Sequence, residues 1–136
     1  MQFKKELDFA MRILLTMAGE IKADNSSYKL FTVRELYKKT SIPQQAILRI
    51  SKKLADAKFI FHCNENNHLC FYPSIDIYSK TMLDVIRAVE GNTDIYAAFD
   101  EENDIWMNSK PTLREMEAKI HECLNSMTIE TMLQCK

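Results

Sequence analysis

Glycine is almost absent from this chain, with Gly19 and Gly91 the two in 136 residues. A G-x-x-x-x-G-K-[ST] phosphate loop and a G-x-G-x-x-G dinucleotide turn each need several glycines where backbone closes on phosphate, so two large enzyme classes are excluded. Long apolar runs are missing as well. The longest stretch without a charged residue is the ten from Asn66 to Ile75, against roughly 18 for a membrane span, and no membrane association is expected. The opening Met1-Gln2-Phe3-Lys4-Lys5-Glu6 has no apolar segment of the kind found in a secretory signal, so a cytoplasmic location is expected. None of the four cysteines (Cys63, Cys70, Cys123, Cys135) stands in a C-x-x-C pair. In a reducing compartment they read as free thiols, metal ligands or redox sensors rather than structural bridges.

What is present is ordinary globular composition, 46% hydrophobic and 27% charged, enough for one core without covalent staples. The formal net charge of −1 conceals a division. Residues 1 to 62 carry 12 basic and six acidic side chains, whereas residues 63 to 136 carry six basic and 13 acidic. A basic front and an acidic rear suit a polyanion-binding module joined to a part that stays off the polyanion, although solvated faces can also segregate by chance.

Periodicity orders the elements. Phe3, Leu7, Ala10, Met11, Leu14, Met17 and Ala18 recur at three and four, predicting an amphipathic helix that ends near Gly19, with a loop from Glu20 to Ser27. Thr32-Val33-Arg34-Glu35 reads as a capping box opening a short helix to about Lys39. Thr40-Ser41-Ile42-Pro43 breaks it, and Pro43 fits the first turn of a new helix. That helix buries Ile47, Ile50, Leu54 and Ala57 and turns Gln44, Gln45, Leu48, Arg49, Lys52 and Lys53 outward. Two short helices so spaced form a helix-turn-helix. Phe59 to Cys63 and Leu69 to Tyr72 are runs of strand formers around the turn cluster Asn64-Glu65-Asn66-Asn67-His68, which predicts a β-hairpin, the wing of a winged helix. Thr81 to Asp84 caps a helix with Val85, Ile86 and Val89 inward that stops at Glu90-Gly91. Residues 92 to 110 show no helical period and five carboxylates (Asp94, Asp100, Glu101, Glu102, Asp104), as in a loop or weak helix. After Pro111, Thr112 to Glu115 reads as another box. It starts a helix whose seam (Leu113, Met116, Ile120, Cys123, Leu124, Met127) has coiled-coil spacing, suited equally to packing within the chain or between two copies. The tail from Thr128 to Lys136 is expected to add one last helical turn. The expected fold is therefore mainly α with a small β-hairpin: a winged helix-turn-helix over 1–78, and a dimerisation or effector region over 79–136 that carries a long C-terminal dimerisation helix and packs on the first helix.

This order resembles the Rrf-two family of bacterial winged-helix transcription regulators. Asp8-Phe9-Ala10-Met11-Arg12, the run Ile47 to Leu54, Asp84-Val85-Ile86-Arg87-Ala88-Val89-Glu90-Gly91 and Leu124-Asn125-Ser126-Met127-Thr128-Ile129 carry the likeness over nearly the whole chain. It implies a DNA-binding regulator. Well-known members hold an iron-sulfur cluster with three cysteines in the loop after the Val-Glu-Gly helix. The corresponding loop here, Asn92 to Lys110, has neither cysteine nor histidine, so no cluster or other cofactor is expected. The family also tends to have a glycine near the end of the recognition helix and a glycine-rich wing. Here Lys58 must accept the backbone angle which that glycine served, and Glu65 stands where a wing would meet phosphate.

Chemistry assigns the roles. Lys38, Lys39, Lys52 and Lys53 suit sequence-blind phosphate contact. Gln44 and Gln45 could address adenine, Arg49 guanine, and Leu48 a thymine methyl, while the plainer explanation of the glutamines is an exposed first turn. Thr32 and Asn66 complete the candidate DNA-contacting set. Leu113, Met116, Ile120, Leu124 and Met127 would join two copies over a pseudo-palindromic duplex. The reading is a dimeric, sequence-specific transcription regulator, a repressor, and not an enzyme. One alternative is an interaction module of the same fold that no longer binds DNA and docks its acidic C-terminal half on another protein. Another is a thiol or metal sensor. With the turn centred between Asn66 and Asn67, Cys63 and Cys70 face each other, ready for oxidation or for sharing a soft metal with His68, though simple packing also accounts for them.

Overall fold

A computed structural model describes residues 5–25, 28–91 and 110–134. Helix α1 (Lys5–Ala23) is the central post. Leu7, Ala10, Met11, Leu14, Met17, Ala18 and Ile21 form its buried stripe, with Ile13 widening it. The helix does not end at Gly19. A Cβ at that position would lie at ordinary contact distance, 3.4 Å, from Leu133 Cδ2, so Gly19 marks where the last helix packs on α1 rather than a turn. The stop comes at Asn25, whose φ of 53° takes the left-handed conformation and whose amide donates to the Lys22 carbonyl at 3.2 Å.

Strand β1 (Phe31–Thr32) leads into α2 (Val33–Thr40), and α3 (Gln44–Asp56) follows after three residues. The box at α2 forms in half. Thr32 Oγ1 accepts from the Glu35 amide at 3.1 Å, but the Glu35 carboxylate takes the Thr32 hydroxyl at 3.4 Å instead of the Thr32 backbone. Pro43 sits one place earlier than expected, as the N-cap of α3. At the far end of α3 the Lys58 amide donates to the Ala55 carbonyl and the Phe59 amide to that of Leu54, at 3.0 and 2.9 Å. This is a Schellman closure, and it places Lys58 at φ 65°, the left-handed position a glycine would fill.

Strands β2 (Ile60–Glu65) and β3 (His68–Pro73) extend further toward the turn than the runs of strand formers suggested. Asn66 and Asn67, with φ of 53° and 65°, make a two-residue turn of the type that matches strand twist, and asparagine tolerates this backbone well. The sheet is antiparallel in the order β1-β3-β2. β1, invisible to periodicity at two residues, pairs Phe31 with Phe71 and Thr32 with Cys70.

Helix α4 (Met82–Glu90) has the full reciprocal box at Thr81 and Asp84, and closes on Gly91 at φ 81°. Helix α5 (Lys110–Ser126) begins before Pro111, which puts Thr112 inside the first turn rather than at a cap. The tail is a helix in its own right, α6 (Ile129–Gln134). The Met82 amide donates to the Met127 carbonyl at 2.8 Å and the Ile129 amide to that of Lys80 at 2.9 Å, pinning the chain so that Ile129 is fully buried. Burial of one such side chain contributes about 2 kcal/mol. One hydrophobic cluster runs from α1 through α2, α3 and the sheet to α4 and α6. No described helix is long and apolar enough to cross a membrane. The expected acidic loop, Asp94 to Asp104, lies outside the described residues.

Candidate nucleic-acid interface

The turn between α2 and α3 is held by side chains as well as backbone. Thr40 Oγ1 donates to the Leu36 carbonyl at 2.6 Å and accepts from the Ile42 amide at 3.2 Å. Ser41, at φ 62°, closes α2 on the Tyr37 carbonyl. Ile42 is buried, so the angle between the helices is set by packing. Ala46, Ile47, Ile50, Ser51 and Leu54 form the inner face of α3. Its N-terminus has no side-chain cap, which leaves the first-turn amides directed past Gln44 and Gln45.

Residues four apart share a face of a helix. Gln44, Leu48 and Lys52 therefore align, with Gln45 and Arg49 on the adjoining line, and all five are exposed. Lys53, expected on the same outward face, is only half exposed and lies against α1 and α4. Its Nζ reaches Glu6 Oε2 at 2.6 Å and the Val89 carbonyl at 3.4 Å. Arg49 donates its Nε to Glu6 Oε1 at 2.9 Å, so one carboxylate of α1 holds two cations of α3. The hydrogen bond from Lys53 is the main reason the Glu6 carboxyl sits below its ordinary value of 4.5, and it outweighs the opposing effect of partial burial, with Arg49 assisting. Glu6 carries no signal in sequence, since its partners lie 43 and 47 positions away.

The remaining candidates divide. Lys38 is exposed at the end of α2. Lys39 is tied back to Glu20 of α1, which Lys29 also approaches at 3.8 Å. Thr32 is half-buried and committed to capping α2. Asn66 is exposed at the tip of the hairpin. Between α3 and the hairpin runs a groove of about 400 Å³, with Leu48 and Lys52 from the helix and His62 and Leu69 from the strands among its walls.

Along α5, Met116 is exposed, Ile120 and Leu124 are half-buried, as is Met127 just past its end, and Cys123, expected in the seam, faces solvent. The Leu113 side chain lies outside the described residues. Leu124 packs on the core, and no described side chain of α5 is fully buried.

Cys63 and Cys70 occupy directly opposite register positions in β2 and β3. Burial raises the Cys70 thiol above its ordinary value, with the charges of Cys63 and Glu65 adding to the effect. Among the described residues no three of His, Cys, Asp or Glu cluster closely enough for a metal ion, so His68 does not complete a site with the two thiols.

A helix-turn-helix followed by a β-hairpin, to which the preceding strand β1 adds a third strand, defines a winged helix-turn-helix fold. Solved structures share it over the whole chain. CymR, the global cysteine regulator of B. subtilis, superposes with a TM-score of 0.77 at 13% identity, covering 100% of this chain and 98% of that one. The oxidized form of Staphylococcus aureus CymR gives 0.70 at 11%, covering 100% and 98%. A candidate transcriptional regulator of Listeria innocua gives 0.76 at 15%, covering 100% and 88%. At such identities the likeness is one of fold. No family model matches the chain, and no curated protein matches it.

Proposed function

We propose that the chain is a sequence-specific DNA-binding regulator of transcription of the Rrf-two kind, a repressor without an iron-sulfur cluster, acting as a homodimer. Residues 1–78 make the DNA contact and 79–136 join the protomers. The observation that carries this reading is the outer face of α3. An uncapped helix start with Gln44, Gln45, Leu48, Arg49 and Lys52 exposed stands on a core-anchored helix in a fold shared with CymR. The N-terminal turns of such a helix are the part that reaches base edges in a major groove. The incomplete burial of α5 supports a partner for that helix.

Selection from a random duplex library tests the proposal. A two-fold symmetric site with half-sites a whole number of helical turns apart is the expected result, and no enrichment would overturn it. Within the selected site, Arg49→Ala should relax one base position at a cost of about 1–3 kcal/mol, while Lys52→Ala weakens all sequences alike. Equal losses on specific and random DNA for both variants would reject that division.

A second reading, an interaction module that no longer binds DNA, draws on the pairing of Arg49, Lys53 and Lys39 with carboxylates of α1. The acidic C-terminal half would then dock on another protein. Retention on heparin or duplex DNA with a steep salt dependence separates the two, because the module would elute early.

A further inference from the structure

The wing carries chemistry that DNA contact does not use. Cys63 faces Cys70 directly across β2 and β3. Directly opposed residues of an antiparallel pair have Cα atoms about 4.5–5.5 Å apart, within the span a disulfide requires, and their side chains lie on the same face of the sheet. The two positions differ in access. β2 is an edge strand and Cys63 is half-buried, whereas Cys70 is buried on the central strand between Cys63 and Thr32. The burial of Cys70 does not come from the main core. The neighbouring Phe71 and its partner Phe31 belong to that cluster and Cys70 does not. The face it shares with Cys63 bears an aromatic group instead, with Tyr28 and Tyr72 centroids 5.2 Å apart and Phe61 and Tyr72 centroids 5.5 Å apart. One thiol can therefore be reached from solvent while its partner waits beside it.

We propose that Cys63 and Cys70 form a thiol–disulfide exchange site on the wing whose oxidant is a low-molecular-weight disulfide. The Cys63 thiolate attacks one sulfur of the small disulfide. That S–S bond breaks, one small thiol leaves with a proton, and Cys63 carries the other half as a mixed disulfide. Cys70 then gives up its proton and attacks the Cys63 sulfur, expelling the second small thiol. The two protein thiols are oxidised to one disulfide, the small disulfide is reduced to two thiols, and the two protons end on the leaving groups. Cys70, whose burial holds its proton on, is the slower resolving partner.

The test treats the full chain with oxidised glutathione, then digests it with a protease that cuts after Glu65, which separates the two cysteines, and weighs the fragments. The expected result is a peptide pair linked through Cys63 and Cys70, two hydrogens lighter than the free peptides. Cys70→Ser should instead leave glutathione trapped on Cys63, and Cys63→Ser, a change at a half-buried edge position, should leave Cys70 a free thiol. If Cys70→Ser does not fold, Cys63→Ser keeps the test open, because glutathione on Cys70 in that variant contradicts the assignment of the attacking thiol. A stable glutathione adduct on wild-type Cys63 with Cys70 still reduced would overturn the proposal, as would linkage only through Cys123 or Cys135.

Discussion

Lys58 shows how one residue can hold strain that sequence pattern alone only hints at. Its φ of 65° is a conformation in which any Cβ crowds the backbone, at a cost of roughly 1–2 kcal/mol, and the Schellman bonds on either side hold it there. Lys58→Gly relieves that crowding and adds entropy to the unfolded chain, so the expected net gain is about 0.5–1 kcal/mol, read as a raised denaturation midpoint. An unchanged midpoint would show that the backbone has already relaxed. Glu6 makes the opposite kind of point, since its influence lies entirely in its partners. Its carboxyl is lowered in the folded state, so the stability it contributes is fully present above the ordinary glutamate value and lost as the pH falls through the lowered one. Glu6→Gln should flatten that part of the acid limb. The same change frees Arg49 and Lys53 from a competing carboxylate, and the salt dependence of duplex binding is expected to steepen by up to about one unit of slope. A slope equal to that of the wild type would mean that Lys53 does not reach phosphate.

At the scale of elements, α6 is too short to be helical alone, because nucleation is unfavourable and six residues supply few bonds to offset it. Docking makes it a helix, and it packs on α1 at Gly19. The sign of a substitution there depends on size. Gly19→Ala places a methyl group at ordinary contact distance from Leu133 and removes a helix-interior glycine, a gain of up to about 1 kcal/mol. Gly19→Ile should wedge α6 away and destabilise the fold. Hydrogen exchange of the Ile129 to Gln134 amides checks both, with protection rising in the first variant and collapsing in the second. The hairpin shows the same dependence on its surroundings, because β1 exists only as the third strand that β3 accepts at Phe71 and Cys70.

At the scale of the whole molecule, the division of charge acquires a shape. Much of the positive charge of the front half lies on α2 and α3, but Glu6 and Glu20 of α1 draw three of those cations back toward the body. Arg49 stays exposed in its pairing, so the outer face of α3 is mixed, with two amides, a leucine, that guanidinium and Lys52. This favours base reading over simple polyanion adhesion. A helix of 17 residues whose described side chains are all at least partly exposed leaves apolar area that a second copy would remove from water. In the proposed dimer Ile120→Glu places a charge in that seam, so sedimentation should report monomers where the wild type is expected to sediment as a dimer. A variant that stays dimeric would move the interface elsewhere.

Local chemistry decided much of this protein in advance. Helices α1 to α4, the hairpin register that opposes Cys63 to Cys70 and the box at Thr81 follow from side-chain period, capping residues and turn formers, all of which act within a few positions of the chain. The outward set on α3 was legible for the same reason, since burial of Ile47, Ile50 and Leu54 turns Gln44, Leu48 and Lys52 away. Tertiary structure decided the rest. The extension of α1 past Gly19, the docking of the tail helix, the strand at Phe31 and the capture of Arg49 and Lys53 by Glu6 each depend on a partner far along the chain. A short-range pattern cannot encode a contact between residues whose neighbourhood is created only when the chain has already folded.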